Sequence, residues 1–280
     1  MRTGWAVLLA MGLAAASASG APAQTSEMVR FTGADGTSVQ AVLMRPSGTG
    51  PFPAVVALHG CGGRDNARGE LARRQADWAS RWTGQGLAVL MPDSFASRGL
   101  GSQCGVRERT VRPARERLAD VAGARVYLQA RSDIRQDRIS LVGWSNGGST
   151  ALYAASRTAR PADGRPDFVQ AIAFYPGCRT PLERGLVNRL PLTILIGGAD
   201  DWTPAAPCEA LVSRARSMGA PAEIVVYPGA FHGFDDPASR LRERTGLAFT
   251  PDGSGRARVG TDPAARADAI RRIDSLIAAR

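Results

Sequence analysis

Six short, almost wholly apolar runs punctuate the chain, at residues 54–58, 87–91, 139–142, 169–175, 192–196 and 224–227. Runs this short, without polar alternation, predict strands buried on both faces. Helical stretches separate them, over residues 71–82, 115–130, 147–156, 205–218 and 264–279. A hairpin is expected ahead of these elements, its strands at 29–32 and 39–45 meeting around the Asp35-Gly36 turn. Strand and helix that alternate about five times predict an α/β fold: a doubly wound, mainly parallel sheet with helices on both faces. A single domain is expected over residues 24–280. Residues 240–260 break the rhythm, being polar, glycine-bearing and aperiodic, and are expected to form an ordered loop or short lid.

The first residues follow another logic. Arg2 precedes an apolar run at 5–16, and Ala21-Pro22-Ala23 before Gln24 has the small side chains of a cleavage site, with Ala16-Ser17-Ala18 a second candidate. Residues 1–23 are therefore expected to be a signal peptide, which places the mature chain in the periplasm or outside the cell. A buried N-terminal helix is the alternative. No stretch reaches the roughly 18 apolar residues of a spanning helix, so no stable membrane insertion is expected. In an oxidising compartment the even set Cys61, Cys104, Cys178 and Cys208 is expected to pair. Three pairings exist. Sequence order and loop position favour Cys61 with Cys104 and Cys178 with Cys208, and one bridge with two buried thiols stays open.

Composition then narrows the chemistry. All 35 basic residues are arginine, and His59 and His232 are the only histidines. Without lysine there is no P-loop lysine, no Schiff base and no Ser-x-x-Lys pair. Two histidines and four scattered cysteines form neither H-E-x-x-H nor C-x-x-C, so no zinc site is expected. The net charge of +10 sits in two stretches: residues 64–138 carry 15 Arg against 9 acids, and residues 240–280 carry 9 against 5. A basic excess can serve nucleic acid or an anionic surface. Here the arginines recur at helical spacing with acids between them, as in Arg115-Glu116-Arg117 and Asp120, without the interleaved aromatics of a base-stacking groove. A solvated face and no nucleic-acid partner are expected, with an anionic polymer or envelope partner left open.

The strand at 139–142 runs into Gly143-Trp144-Ser145-Asn146-Gly147-Gly148 and then a helix. Gly-x-Ser-x-Gly between strand and helix is a nucleophile elbow, a turn so sharp that glycine must flank it and the serine hydroxyl is pushed outward. Alone the pattern is weak; its placement strengthens it. A serine nucleophile needs a base and a group to orient that base. His232 is the only histidine downstream of Ser145, in Gly229-Ala230-Phe231-His232-Gly233-Phe234. The acid should follow strand 192–196, where Gly197-Gly198-Ala199-Asp200-Asp201-Trp202 offers Asp200, with Asp201 the alternative. Either could instead cap the helix beginning near Pro204. Two N–H donors must hold an oxyanion. Asn146 follows the serine directly, and Cys61, with Gly62 second, stands in the loop His59-Gly60-Cys61-Gly62-Gly63. His59 is expected to order that loop rather than act as base. Trp144, beside the serine, is a candidate substrate contact.

Taken together, His59-Gly60-Cys61-Gly62-Gly63, the elbow at Ser145, the segment from Gly197 to Pro204 and Ala230-Phe231-His232-Gly233-Phe234 resemble the dienelactone hydrolase family of α/β-hydrolases, over residues 28–280. The resemblance implies the α/β-hydrolase fold and a triad of Ser145, Asp200 and His232. It implies hydrolysis of a small-molecule carboxylic ester or lactone through an acyl-enzyme, with neither metal nor cofactor. Three departures stand out. The best-known members carry a cysteine where Ser145 stands and a glutamate near His59. They also hold the substrate carboxylate with arginines, whereas here Arg98 lies one residue beyond the first of those positions and Asp236 occupies the other. Those departures imply a serine esterase of different or broader substrate range, with Arg98 a candidate substrate contact. Two rivals remain: a prolyl-oligopeptidase-type peptidase, which shares the triad order, and a non-catalytic envelope binding protein on the hydrolase fold.

Overall fold

Consecutive valine, leucine and isoleucine leave a strand no polar face, so such strands must lie inside a sheet covered on both sides. The computed structural model describes Met1 and residues 24–278 and places them there. Apart from Met1, the expected export segment at 1–23 lies outside the described residues. The chain runs β1 (Thr25–Thr32), β2 (Ser38–Arg45), β3 (Phe52–Leu58), α1 (Arg73–Gly84), β4 (Ala88–Pro92), α2 (Glu116–Gln129), β5 (Ile134–Trp144) and α3 (Asn146–Ala155). It continues with β6 (Gln170–Phe174), α4 (Arg179–Glu183), β7 (Leu192–Gly197), α5 (Ala205–Ser217), β8 (Ala222–Tyr227), β9 (Arg242–Arg244), β10 (Ala257–Val259) and α6 (Pro263–Ala278).

Eight strands form one sheet in the order β1-β2-β4-β3-β5-β6-β7-β8. The β1–β2 and β2–β4 pairs are antiparallel, and every later pair is parallel. On one face, Trp78 and Trp82 of α1 pack on Trp144, and Trp78 also meets Phe174. Helix α6 joins that face through the Arg266–Asp77 ion pair and the Gln170 side chain, which donates to the Leu276 carbonyl. Helices α2 and α3 pack together against the other face. This is the α/β-hydrolase architecture that the sequence predicts. Parallel strands bring the ends of β3, β5, β6, β7 and β8 to one edge, so the loops that follow them gather there.

Weakly patterned elements depart from expectation. Strand β1 starts at Thr25 because it is an edge strand with exposed outer residues, held by its pairing to β2. Strand β5 starts at Ile134, and its exposed residues 135–137 carry no apolar signal. Residues 240–260 are not merely a loop: β9 and β10 pair antiparallel, Arg244 opposite Ala257. Three-residue strands are too short to show alternation. Burial fixes them instead, since Leu247, Ala257 and Val259 form a small second core with Cys61, Cys104 and Trp202. The disulfides are Cys61–Cys104 and Cys178–Cys208, the pairing that loop position favoured. Among the described residues, no helix is long and apolar enough to cross a membrane.

Candidate active site

At the end of β5, Ser145 takes φ 53° and ψ −115°, a conformation costly for any residue with a side chain. The surroundings hold it there by removing room. A Cβ on Gly143 would strike the Gly147 carbonyl, and one on Gly147 would strike the carbonyls of Leu58 and His59. Strand and helix can therefore approach only through glycine. The Ser145 N–H donates to the Phe174 carbonyl at 2.9 Å, and the Ser145 carbonyl accepts from Ser149 N–H at 2.8 Å. Ser145 opens onto a cavity of about 570 Å³ that Asn146, Cys61, Trp202 and Thr203 also line.

His232 follows β8 and is buried. Its Nδ1 lies 2.9 Å from Asp200 Oδ2. The other Asp200 oxygen accepts from the backbone N–H of Trp202 at 2.9 Å and of Thr203 at 2.8 Å. Thr203 Oγ1 lies 2.9 Å from Asp200 Oδ2 and 3.1 Å from His232 Nδ1. The carboxylate is thus fixed before it meets the ring, and the ring lies between Tyr175 and Trp202, with centroids 4.5 and 4.6 Å away. The His232 carbonyl accepts from Gly260 N–H at 3.2 Å, which ties the β10 segment to this loop. Asp201, the alternative acid, is instead paired to Arg258 at 2.9 Å. Among the described residues, neither Ser145 Oγ nor His232 Nε2 has a hydrogen-bond partner, and none joins the two. Catalytic contacts are often loose before substrate binds.

The loop after β3 abuts the elbow: a Cβ on Gly60 would sit 3.6 Å from Ser145 Cβ. Among the described residues, the backbone N–H groups of Cys61 and Asn146 have no acceptor. Asn146 opens α3, where first-turn N–H groups lack intrahelical acceptors. Its side-chain oxygen accepts from buried Arg117 at 2.5 Å. Burial lowers the Arg117 pKa to about 10, so it remains a cation at neutral pH. His59 is buried below this loop; Nδ1 faces the Gly60 carbonyl at 2.8 Å and Nε2 accepts from Ser94 N–H at 3.2 Å. Burial first, then Arg117 and Arg64, hold its pKa well below the usual imidazole value, so His59 is neutral.

The structure brings Ser145, Asn146 and Cys61 to one cavity and His232 to Asp200, but it does not bring Trp144 or Arg98 there. Strand alternation turns the Trp144 side chain from the serine into the core, where its indole N–H donates to Asp235 at 2.8 Å. Arg98 does not line the cavity; Asp120, at 2.8 Å, and Asp35, at 3.2 Å, hold its guanidinium. Sequence reasoning passed over Tyr175, Thr203 and Arg117. Tyr175 carried a signal, since it ends a buried strand at the same sheet edge; its φ is 36°. Among the described residues, no three His, Cys, Asp or Glu side chains gather as a metal site.

The profile of the dienelactone hydrolase family matches residues 39–279. An uncharacterised Mycobacterium tuberculosis protein is 31% identical over 67% of this chain, which spans 65% of that protein's length. A Yersinia pestis protein named "Putative carboxymethylenebutenolidase" is 26% identical over 71% of this chain and 75% of its own. Among solved structures, a dienelactone hydrolase-like promiscuous phosphotriesterase from metagenomic libraries shares the fold, with a TM-score of 0.62 at 19% identity, covering 91% of this chain and 98% of that one.

Proposed function

Because the chain belongs to the dienelactone hydrolase family, we propose that it hydrolyses carboxylic esters or lactones through an acyl-enzyme on Ser145. The observation that carries this reading is the His232–Asp200 contact of 2.9 Å, made while Nε2 stays free. Asp200 keeps the Nδ1 proton in place and offsets the imidazolium charge. His232 Nε2 then takes the Ser145 proton as Oγ attacks the ester carbonyl. The N–H groups of Cys61 and Asn146 receive the oxyanion, and their lack of an acceptor among the described residues supports that role. The alcohol leaves with the proton from His232. Water, activated by the same ring, clears the acyl group and restores the serine. Two disulfides support an oxidising compartment, periplasmic or extracellular.

Steady-state hydrolysis of p-nitrophenyl acetate, with fluorophosphonate labelling mapped by mass spectrometry, tests the reading. Ser145 is the expected site of the label, and Ser145→Ala is expected to lower kcat by about 10⁴-fold or more while leaving the fold intact. Turnover that survives this substitution rules out the named nucleophile. Absence of both turnover and label rules out the hydrolase.

A further inference from the structure

The arginine excess has a place in the fold. Six arginines line the cavity onto which Ser145 opens: Arg107, Arg109, Arg112 and Arg115 from the segment before α2, and Arg179 and Arg184 from the α4 region. No Asp or Glu lines it among the described residues; Glu108 and Glu183, their sequence neighbours, do not. Several arginines elsewhere are held by carboxylates, as Arg125 is by Asp163, Arg131 by Asp133 and Arg189 by Asp167. Of the six, only Arg112 has an ion-pair partner among the described residues, Glu116 at 2.7 Å. Arg109 donates to the carbonyls of Gln103 and Val106 and lies over the Phe249 ring, 4.6 Å from its centroid. Among the described residues, the Arg107, Arg115 and Arg179 side chains make no hydrogen bond or ion pair.

Clustered cations with no counter-charge repel one another and focus a positive potential into a concave site. Guanidinium groups grip oxyanions through paired N–H donors. Two separate elements supply the charge, so one anionic group would satisfy only part of it. The Phe249 ring and the prolines at 181, 204 and 207 give an uncharged portion its contact surface.

We propose that this cavity selects esters bearing at least two negative charges on the acyl side, as carboxylates or as a phosphoryl-type dianion. The inference rests on the hydrolase reading and adds the substrate class to it. The test is a matched series of p-nitrophenyl esters: butyrate, succinate, tricarballylate and 4-phosphonobutyrate, with 4-(trimethylammonio)butyrate as the cationic member. Expected kcat/KM for the dianionic esters exceeds that for butyrate by about tenfold or more, falls with ionic strength and is lowest for the cation. The two dianionic arms separate polycarboxylate from phosphoryl chemistry. The double variant Arg107→Gln/Arg179→Gln is expected to collapse the dianion-to-butyrate ratio. Arg68→Gln, an exposed and Glu70-paired arginine away from the cavity, is expected to keep it. A ratio near one, or one indifferent to the double variant, overturns the inference while leaving the hydrolase reading in place. No turnover of any ester overturns the hydrolase reading. Calorimetric titration of the Ser145→Ala protein with tricarballylate then reads the arginines without turnover, and absence of binding that the double variant would remove sinks the site itself.

Discussion

Trp144 and Ser145 are neighbours in the chain, yet they face two differently built polar regions. Beneath Trp144, three donors converge on the fully buried Asp235, the indole N–H of Trp78 and Trp144, each at 2.8 Å, and the Tyr175 hydroxyl at 2.5 Å, and Arg74 forms an ion pair with it at 3.1 Å. Before Ser145, by contrast, the Cys61 and Asn146 amides, His232 Nε2 and several arginine side chains have no partner among the described residues. A buried group without a partner costs about 1–3 kcal/mol, and the donors around Asp235 spare its carboxylate that cost. Groups left open toward a cavity need some other source of rigidity. Here it is covalent: Cys61 and Cys178 both line the cavity, and each is tied to another loop or helix.

The largest expected effect therefore falls on the open side. The Cys61–Cys104 bridge closes a separation of 43 residues, and chain-entropy reasoning gives it about 4 kcal/mol. Urea denaturation of the Cys61→Ala/Cys104→Ala protein should show that loss. Ester turnover should fall as well, because the Cys61 N–H is no longer held beside the elbow. Unchanged stability would mean that Trp202, Leu247, Ala257 and Val259 hold the wall without the bridge.

A somewhat smaller effect is expected on the closed side. Asp235→Asn keeps the shape but turns an amide NH2 toward groups that themselves donate, at a cost of about 3 kcal/mol. Thermal or urea unfolding measures it. Tyr175 links this cluster to the His232 ring, so kcat should drop more than KM changes. A variant as stable as the parent would show that saturation at Asp235 is not needed.

These two regions were unequally legible in the sequence. The strands and the loops bearing Ser145, Asp200 and His232 could be read because buried parallel strands carry an unbroken apolar run and the loops follow at their ends. Trp144 was misplaced although alternation along β5 puts it opposite Ser145. Arg98 occupies a position suggested by resemblance, but Asp35 and Asp120, distant in sequence, claim it. The arginines of residues 64–138 read as a solvated face, on the spacing of Arg115, Arg117 and their acidic neighbours, which does not single out Arg107, Arg109, Arg112 and Arg115. They precede α2, and only tertiary folding brings them to Arg179 and Arg184. No local pattern reports such a meeting, nor the convergence of Trp78, Trp144, Tyr175 and Arg74 on one carboxylate.

His59 lies under the open region yet is built like the closed one, and it gives the smallest predicted effect. Its Nδ1 donates to Gly60 and its Nε2 accepts from Ser94, so both nitrogens are used by the neutral ring. Asp93 Oδ1 is 3.8 Å away but already accepts from the N–H groups of Phe95 and Ala96. Burial, Arg117 and Arg64 all oppose a proton on the ring. An unfolded histidine gains that proton near pH 6.5, whereas the folded ring does not until the pH is well below this. Between those two values the unfolded chain binds more protons, so stability falls as pH falls, by up to about 1.4 kcal/mol per pH unit from this residue. Urea midpoints measured from pH 7 down to pH 5 should drop more steeply for the parent than for His59→Gln, which has no proton to gain. Parallel slopes would show that His59 is protonated in the fold and that the loop beneath Cys61 is ordered by another group.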